Sequence, residues 1–147
     1  MLKENTIEDI LRKYLSKKGW KLTNKKRNKG QHGWDIEAWY SRNRRRLLIE
    51  CKWDSDENNT QKIHNSFWVS IGQVMSRMNI EGNSLKKARI YGIAIPKKWE
   101  NTFRNKAKKM EYGWNFLKLR TFLVYENTEL FHLGIFYKSH LLVFQKV

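Results

Sequence analysis

The run RLLIECKW, residues 46–53, closes an apolar stretch with two charges, Glu50 and Lys52, on either side of Cys51. Side chains alternate along a strand, so Glu50 and Lys52 share one face while Ile49 and Cys51 share the other. Charged groups are rarely buried unless they are paired or hold a ligand. Either the strand emerges into water at Glu50, or a site sits at its end. An earlier strand, Trp34 to Tyr40, places Asp35 and Glu37 on one face. If the hairpin between the two strands closes symmetrically about Arg42 and Asn43, Asp35 lies directly opposite Glu50, with Cβ atoms about 4.5–5.5 Å apart. Like charges so placed repel each other and require a cation. A hard divalent ion such as Mg²⁺, which typically uses one or two carboxylates plus substrate phosphate, meets that requirement, and Mn²⁺ would be its substitute. Lys52 would stand beside it, able to orient an attacking water or to stabilise developing negative charge.

Three further features point the same way. Glu8 is the carboxylate set beside the apolar stripe of the first helix, although helix electrostatics alone would favour an acid there. Gln73 lies between apolar neighbours on the second helix, in a polar stripe of Ser66, Ser70, Gln73 and Arg77 able to reach phosphate or water. A basic loop containing Lys25, Lys26, Arg27 and Lys29 precedes Asp35 and would bring phosphate contacts to it. The tip residues Arg42, Arg44, Arg45 and Arg46 offer a second set of backbone contacts, which position a nucleic acid without reading its sequence.

The charge balance fits that chemistry. Thirty Lys plus Arg against fourteen Asp plus Glu give a formal charge of +16. Such a surplus repels itself in a compact chain and favours a polyanionic partner. Nucleic acid leads, because every neutralised phosphate releases counterions. An acidic membrane is the weaker alternative, since the basic residues are not gathered on one amphipathic helix. Cys51 is the sole cysteine, which excludes an internal disulfide and a cysteine-based zinc site, and the four histidines show no metal-ligand spacing. No stretch has the length of a membrane span and the N-terminus lacks a signal-peptide core, so a soluble cytoplasmic protein is expected.

These residues need a scaffold. At 147 residues the chain suits a single domain. Thr6 opens a T-x-x-D capping pattern with Asp9, and Ile7, Ile10, Leu11, Tyr14 and Leu15 form the stripe of a first helix that Gly19 ends. A short strand at Trp20 to Thr23 follows, then the basic loop and the two strands already described. A second helix is predicted from about Asn65 to Met78, with Phe67, Ile71, Val74, Met75 and Met78 inward. The run ARIYGIAIP reads as a buried strand stopped by Pro96. A third helix near Trp99 to Met110 buries Trp99, Phe103, Ala107 and Met110. Strands near Leu117 to Tyr125, Leu130 to Tyr137 and Leu141 to Phe144 close the chain. The order α-β-β-β-α-β, with additions after it, predicts an α/β fold: a mixed sheet with helices on both faces. The core would run over about residues 6–125, with C-terminal additions over 126–147. Trp20, Trp34, Trp39, Trp68 and Trp99 fall on apolar patterns, and Cys51 reads as a small core residue.

Taken together, Glu8 on helix one, GWD ending in Asp35, IECK supplying Glu50-x-Lys52, and Gln73 on the next helix resemble the PD-(D/E)XK nuclease superfamily, the restriction-endonuclease-like fold. The first helix is similar to those of Holliday-junction resolvases and Mrr-like nucleases. The resemblance covers about residues 6–95, and Trp34 stands where the family has proline. It implies that Asp35 and Glu50 are metal ligands with the Cys51 backbone carbonyl as a third. It implies that Lys52 is the catalytic lysine, with Glu8 assisting the metal or water and Gln73 as the accessory helix residue. The expected function is Mg²⁺-dependent endonucleolytic hydrolysis of DNA. A non-catalytic nucleic-acid-binding module on the same fold, or a nuclease acting on RNA, is the alternative. A single site implies that cutting both strands takes a homodimer or two binding events, and GIFYKSHLLVF is a candidate interface.

Overall fold

The structure, a computed structural model, describes residues 4–26, 32–53, 59–78, 89–111, 113, 119–125, 133–137 and 140–145. Helix α1 (Glu4–Lys17) leads into a short strand β1 (Lys21–Leu22), and β2 (Ile36–Tyr40) and β3 (Arg45–Cys51) form a hairpin. Helix α2 (Thr60–Arg77), strand β4 (Arg89–Pro96), helix α3 (Glu100–Lys109) and strand β5 (Arg120–Val124) follow. These five strands make one sheet in the order β1-β2-β3-β4-β5. β1, β2 and β3 run antiparallel, whereas β3, β4 and β5 are parallel. Strands β6 (Leu133–Tyr137) and β7 (His140–Gln145) pair as a separate two-stranded sheet. The expected α/β architecture, a mixed sheet flanked by helices with extra C-terminal strands, is the one found.

Alternation along β3 divides the core. Leu47, Ile49 and Cys51 pack with Ile36, Ala38 and Ala94 beneath the α1 residues Ile7, Leu11 and Leu15. On the other face Leu48, Tyr91, Ile93 and Ile95 meet Phe67, Ile71 and Val74 of α2, Trp99 just before α3, and Phe103 of α3. β3 and β4 are therefore apolar on both faces, as parallel strands covered by helices must be. Glu50 belongs to the α2 face.

Helix α1 stops as its sequence requires. Gly19 takes φ +81°, and Trp20 N–H donates to the Leu15 carbonyl at 2.9 Å, the six-to-one bond of a Schellman end. Its start differs from expectation: the helix already runs from Glu4, so Thr6 sits inside the first turn rather than capping it. Helix α2 begins earlier than predicted, at Thr60, because Asn59 Oδ1 accepts from Lys62 N–H at 3.1 Å and caps a polar first turn. Met75 is 52% exposed, contrary to the expected stripe, which passes instead through Val74 and the partly buried Met78. Trp68, at 49% exposed, is a surface residue, with Lys106 Nζ 5.4 Å from its ring centroid. Trp34 and Trp99 are core, while Trp20 and Trp39 are half-buried.

Candidate active site

The register decides the geometry. Ile36 pairs with Ile49, Glu37 with Leu48 and Tyr40 with Arg45, so the hairpin closes about Arg42 and Asn43 as expected and Asp35 comes opposite Glu50. β2 starts at Ile36 rather than Trp34 because a side-chain clamp takes the preceding carbonyls. Asn24 Nδ2 donates to the Trp34 and Asp35 carbonyls at 3.0 and 3.1 Å, and Asn24 Oδ1 accepts from Glu37 N–H at 2.7 Å. Arg12 Nη2 donates to the same Asp35 carbonyl at 2.7 Å, and Arg12 Nη1 to the Asn24 carbonyl at 2.8 Å. The clamp holds the Asp35 backbone while its side chain turns toward β3, where Oδ2 accepts from Cys51 N–H at 2.7 Å. Lys52 N–H meanwhile donates to the Ala94 carbonyl of β4 at 2.8 Å, holding the strand end between its two neighbours.

Glu50 is buried, with 3% of its side chain exposed. Its Oε1 accepts from Lys52 Nζ at 2.9 Å, and its Oε2 is paired with Arg77 Nη1 from the end of α2. Burial first, and repulsion from Asp35 second, push the Glu50 carboxyl above the ordinary carboxylate range; Lys52 and then Arg77 act against them. A carboxylate facing another carboxylate in a desolvated place is the arrangement that perturbs functional groups.

Helix α2 lines the rest. Lys52, Lys62, Asn65, Ser66 and Val69 border an open cavity of about 280 Å³. Gln73 lies on the helix between Ser66, which borders that cavity, and Arg77, which reaches Glu50. Its Oε1 is buried and has no hydrogen-bond partner among the described residues. Ser70 is fully buried and donates to the Phe67 carbonyl at 2.7 Å. The polar stripe of α2 thus runs from Ser66 at the open cavity through the buried Ser70 to Arg77 at Glu50.

No family model and no curated protein sequence matches the chain. Among solved structures, an XisH family protein from Nostoc punctiforme superposes with a TM-score of 0.44 at 17% identity, over 89% of this chain and 96% of that one. An fdxN element excision controlling factor protein from Anabaena variabilis gives 0.41 at 14% identity, over 90% and 97%. Likeness this distant leaves the function to be read from the site.

The structure brings Asp35, Glu50, Lys52 and Arg77 together, with Gln73 one turn before Arg77 on α2. Arg77, expected to contact nucleic acid, is instead engaged with Glu50. Glu8 is 6% exposed, and its carboxylate accepts from Arg12 Nε at 2.7 Å. Among the described residues it is linked to the site through Arg12 and the Asp35 carbonyl. Among the described residues no three His, Cys, Asp or Glu side chains form a metal cluster, so the acidic centre is a carboxylate pair. Cys51 is wholly buried on the α1 face, as expected of a core residue. Lys25 and Lys26 follow the Asn24 clamp, with Lys26 Nζ paired to Asp9 at 2.7 Å; Arg27 and Lys29 lie outside the described residues. Arg46 is paired with Glu37 at 2.7 Å. Among the described residues no helix is long and apolar enough to cross a membrane.

Sequence reasoning does not single out Arg12 or Asn24. Arg12 carries a signal, because it stands one turn after Glu8, the spacing at which an acid and a base pair on a helix. Asn24 carries none.

Proposed function

We propose that this chain hydrolyses nucleic-acid phosphodiester bonds, with DNA as the favoured substrate, in the manner of the PD-(D/E)XK nucleases that its motif resembles. The observation that carries the reading is the convergence of Asp35 and Glu50 on one face of the sheet with Lys52 Nζ held 2.9 Å from Glu50. The donor set suits Mg²⁺ or Mn²⁺: two carboxylates, the Cys51 carbonyl at the strand end, and no soft ligand in use. The orphaned Gln73 Oε1 supports the fit, because a buried acceptor without a donor is costly unless the working site supplies one.

Asp35, Glu50 and the Cys51 carbonyl would hold the ion, which when bound supplies charge neutralisation at the scissile phosphate and a more acidic water. Lys52 is anchored by Glu50 and sits 15% exposed at the cavity edge, placed to orient a nucleophilic water or to meet negative charge developing on phosphate. Gln73 Oε1 can accept a hydrogen bond from that water and so fix its direction. Glu8 and Arg12 act as positioning residues through the Asp35 backbone. The formal +16 supplies attraction for the phosphate backbone.

The test is cleavage of supercoiled plasmid and of a branched junction in Mg²⁺, Mn²⁺ or EDTA, beside Glu50→Ala and Lys52→Ala. Metal-dependent cutting that both substitutions abolish is expected. Tight binding without cutting in any metal, unchanged in both variants, would replace the nuclease with a non-catalytic binding module.

A further inference from the structure

The tip of the β2–β3 hairpin stands at the opposite end of β3 from Glu50. β3 is seven residues long, so the two ends are about 20 Å apart. Arg42, Arg44 and Arg45 are exposed there and, among the described residues, pair with no carboxylate. Their neighbours add to the charge. Lys21 of β1 faces Trp39, which in turn faces Arg46, so a basic row crosses the sheet just behind the tip. Lys17 and Lys18 at the end of α1 are exposed as well. Among the described residues Glu37 is the acid paired here, and it is engaged with Arg46.

The backbone at the tip adds an independent observation. Arg44 closes the turn Ser41–Asn43 with φ 52° and ψ 38°, in the left-handed region. An L-residue with a side chain is disfavoured there by roughly 1–2 kcal/mol, and glycine or asparagine is the usual occupant. A strained backbone that carries an exposed arginine, next to two more that repel it, is unfavourable twice over in the free protein. The Arg44 N–H bond to the Ser41 carbonyl holds this conformation, and outliers of this kind cluster at functional sites.

We propose that Arg42, Arg44 and Arg45 form a second phosphate-backbone contact surface, separate from the carboxylate end and filled by the same duplex nucleic acid some 20 Å from the cut. For the location of the cut this rests on the nuclease reading. A distance of about 20 Å corresponds to roughly six base pairs at 3.4 Å each, so a productive duplex reaches at least that far from the scissile bond.

The experiment is fluorescence anisotropy with a labelled duplex of roughly 20 base pairs, long enough to span both surfaces. It is run in EDTA over a salt series for the wild type, R44G and the triple variant R42S/R44G/R45S, with thermal melts of each. R44G is expected to melt at or above the wild-type temperature, since glycine relieves the left-handed turn, yet to bind more weakly. The slope of log affinity against log salt should fall by about 0.9 for each phosphate that is no longer neutralised, and the triple variant should show the largest fall. An unchanged slope in the triple variant overturns the proposal, as does R44G melting well below wild type. Loss of binding to phosphatidylserine vesicles with none to the duplex also overturns it, in favour of a membrane surface. The two readings fail separately. A wild type that binds but never cuts in Mg²⁺ refutes the nuclease while the salt slopes still judge the tip. Cutting that survives with unchanged slopes refutes the tip alone.

Discussion

Arg77→Met is the substitution whose consequences follow most directly from the geometry. Glu50 has 3% of its side chain exposed, faces Asp35, and is held by Lys52 at 2.9 Å and by Arg77 on its other oxygen. Removing one member of a buried ion pair costs about 3–5 kcal/mol, because the remaining charge is left without compensation. Lys52 stays in place here, so a loss of about 2–3 kcal/mol is expected at neutral pH. For a chain of this size that lowers the melting temperature by roughly 4–12 °C. The pH dependence has a definite sign. Burial and Asp35 already raise the Glu50 pKa, and loss of Arg77 raises it further. A carboxyl whose folded pKa lies above its unfolded value contributes stability that is fully present below the unfolded pKa. That contribution disappears as pH rises through the folded pKa. The deficit of the variant should therefore be small at about pH 4.5 and grow toward about pH 8. A divalent cation bound at the carboxylates would replace the missing charge, so Mg²⁺ should recover more melting temperature in the variant than in the wild type. Thermal melts of both proteins at the two pH values, with Mg²⁺ and with EDTA, check all three points. A deficit that is the same at both pH values and indifferent to Mg²⁺ would refute the claim that Arg77 serves as counter-ion to a metal-binding carboxylate.

Two further substitutions probe what positions the site. Arg12→Met removes the ion pair to Glu8 and the bonds to the Asn24 and Asp35 carbonyls; hydrogen bonds to charged groups contribute about 1.5–3 kcal/mol each, so urea denaturation should show a loss of about 3 kcal/mol. Glu8→Gln should keep much of the cutting if Glu8 only holds Arg12, and its loss of activity should track its loss of stability. Gly92→Ala would drive a methyl group into the Phe122 ring between β4 and β5; overpacking of that kind costs about 1–3 kcal/mol, read as a lower denaturation midpoint with an unchanged slope.

Much of this arrangement is legible in the sequence because it obeys periodicity. The apolar runs at Leu47–Ile49 and Ile90–Ile95 fix the central strands, and the alternation through Glu50 and Cys51 fixes which face receives the carboxylate. The hairpin register follows from the same alternation, since a slip of one residue would bury Glu37 and expose Ile36. What escapes the sequence depends on side chains that bond to backbone. The Asn59 cap lengthens α2 by a turn whose one apolar residue, Ile63, stands four before Phe67 and continues the buried stripe. The Asn24 and Arg12 clamp shortens β2, and it joins residues far apart in the chain through bonds that no local rule encodes. The role of Arg77 escapes for a related reason: a basic residue at a helix end looks exposed until the fold supplies a buried acid opposite it.

The site also explains why its region breaks the rules that the rest of the chain keeps. A carboxylate at Glu50 on a face otherwise filled by Leu48, Ile93 and Ile95 is a conflict between local chemistry and core packing. An apolar residue there would satisfy the core, and removing the paired charges altogether is often neutral or stabilising in buried settings. The chain instead supplies two cations, Lys52 from the strand itself and Arg77 from α2, on separate oxygens of the same group. A structural ion pair needs one such partner and no second carboxylate facing it. A doubly countered acid opposite Asp35, with a Gln73 oxygen on the covering helix that has no donor among the described residues, is what the proposed site requires if its charge is set for something that arrives from outside.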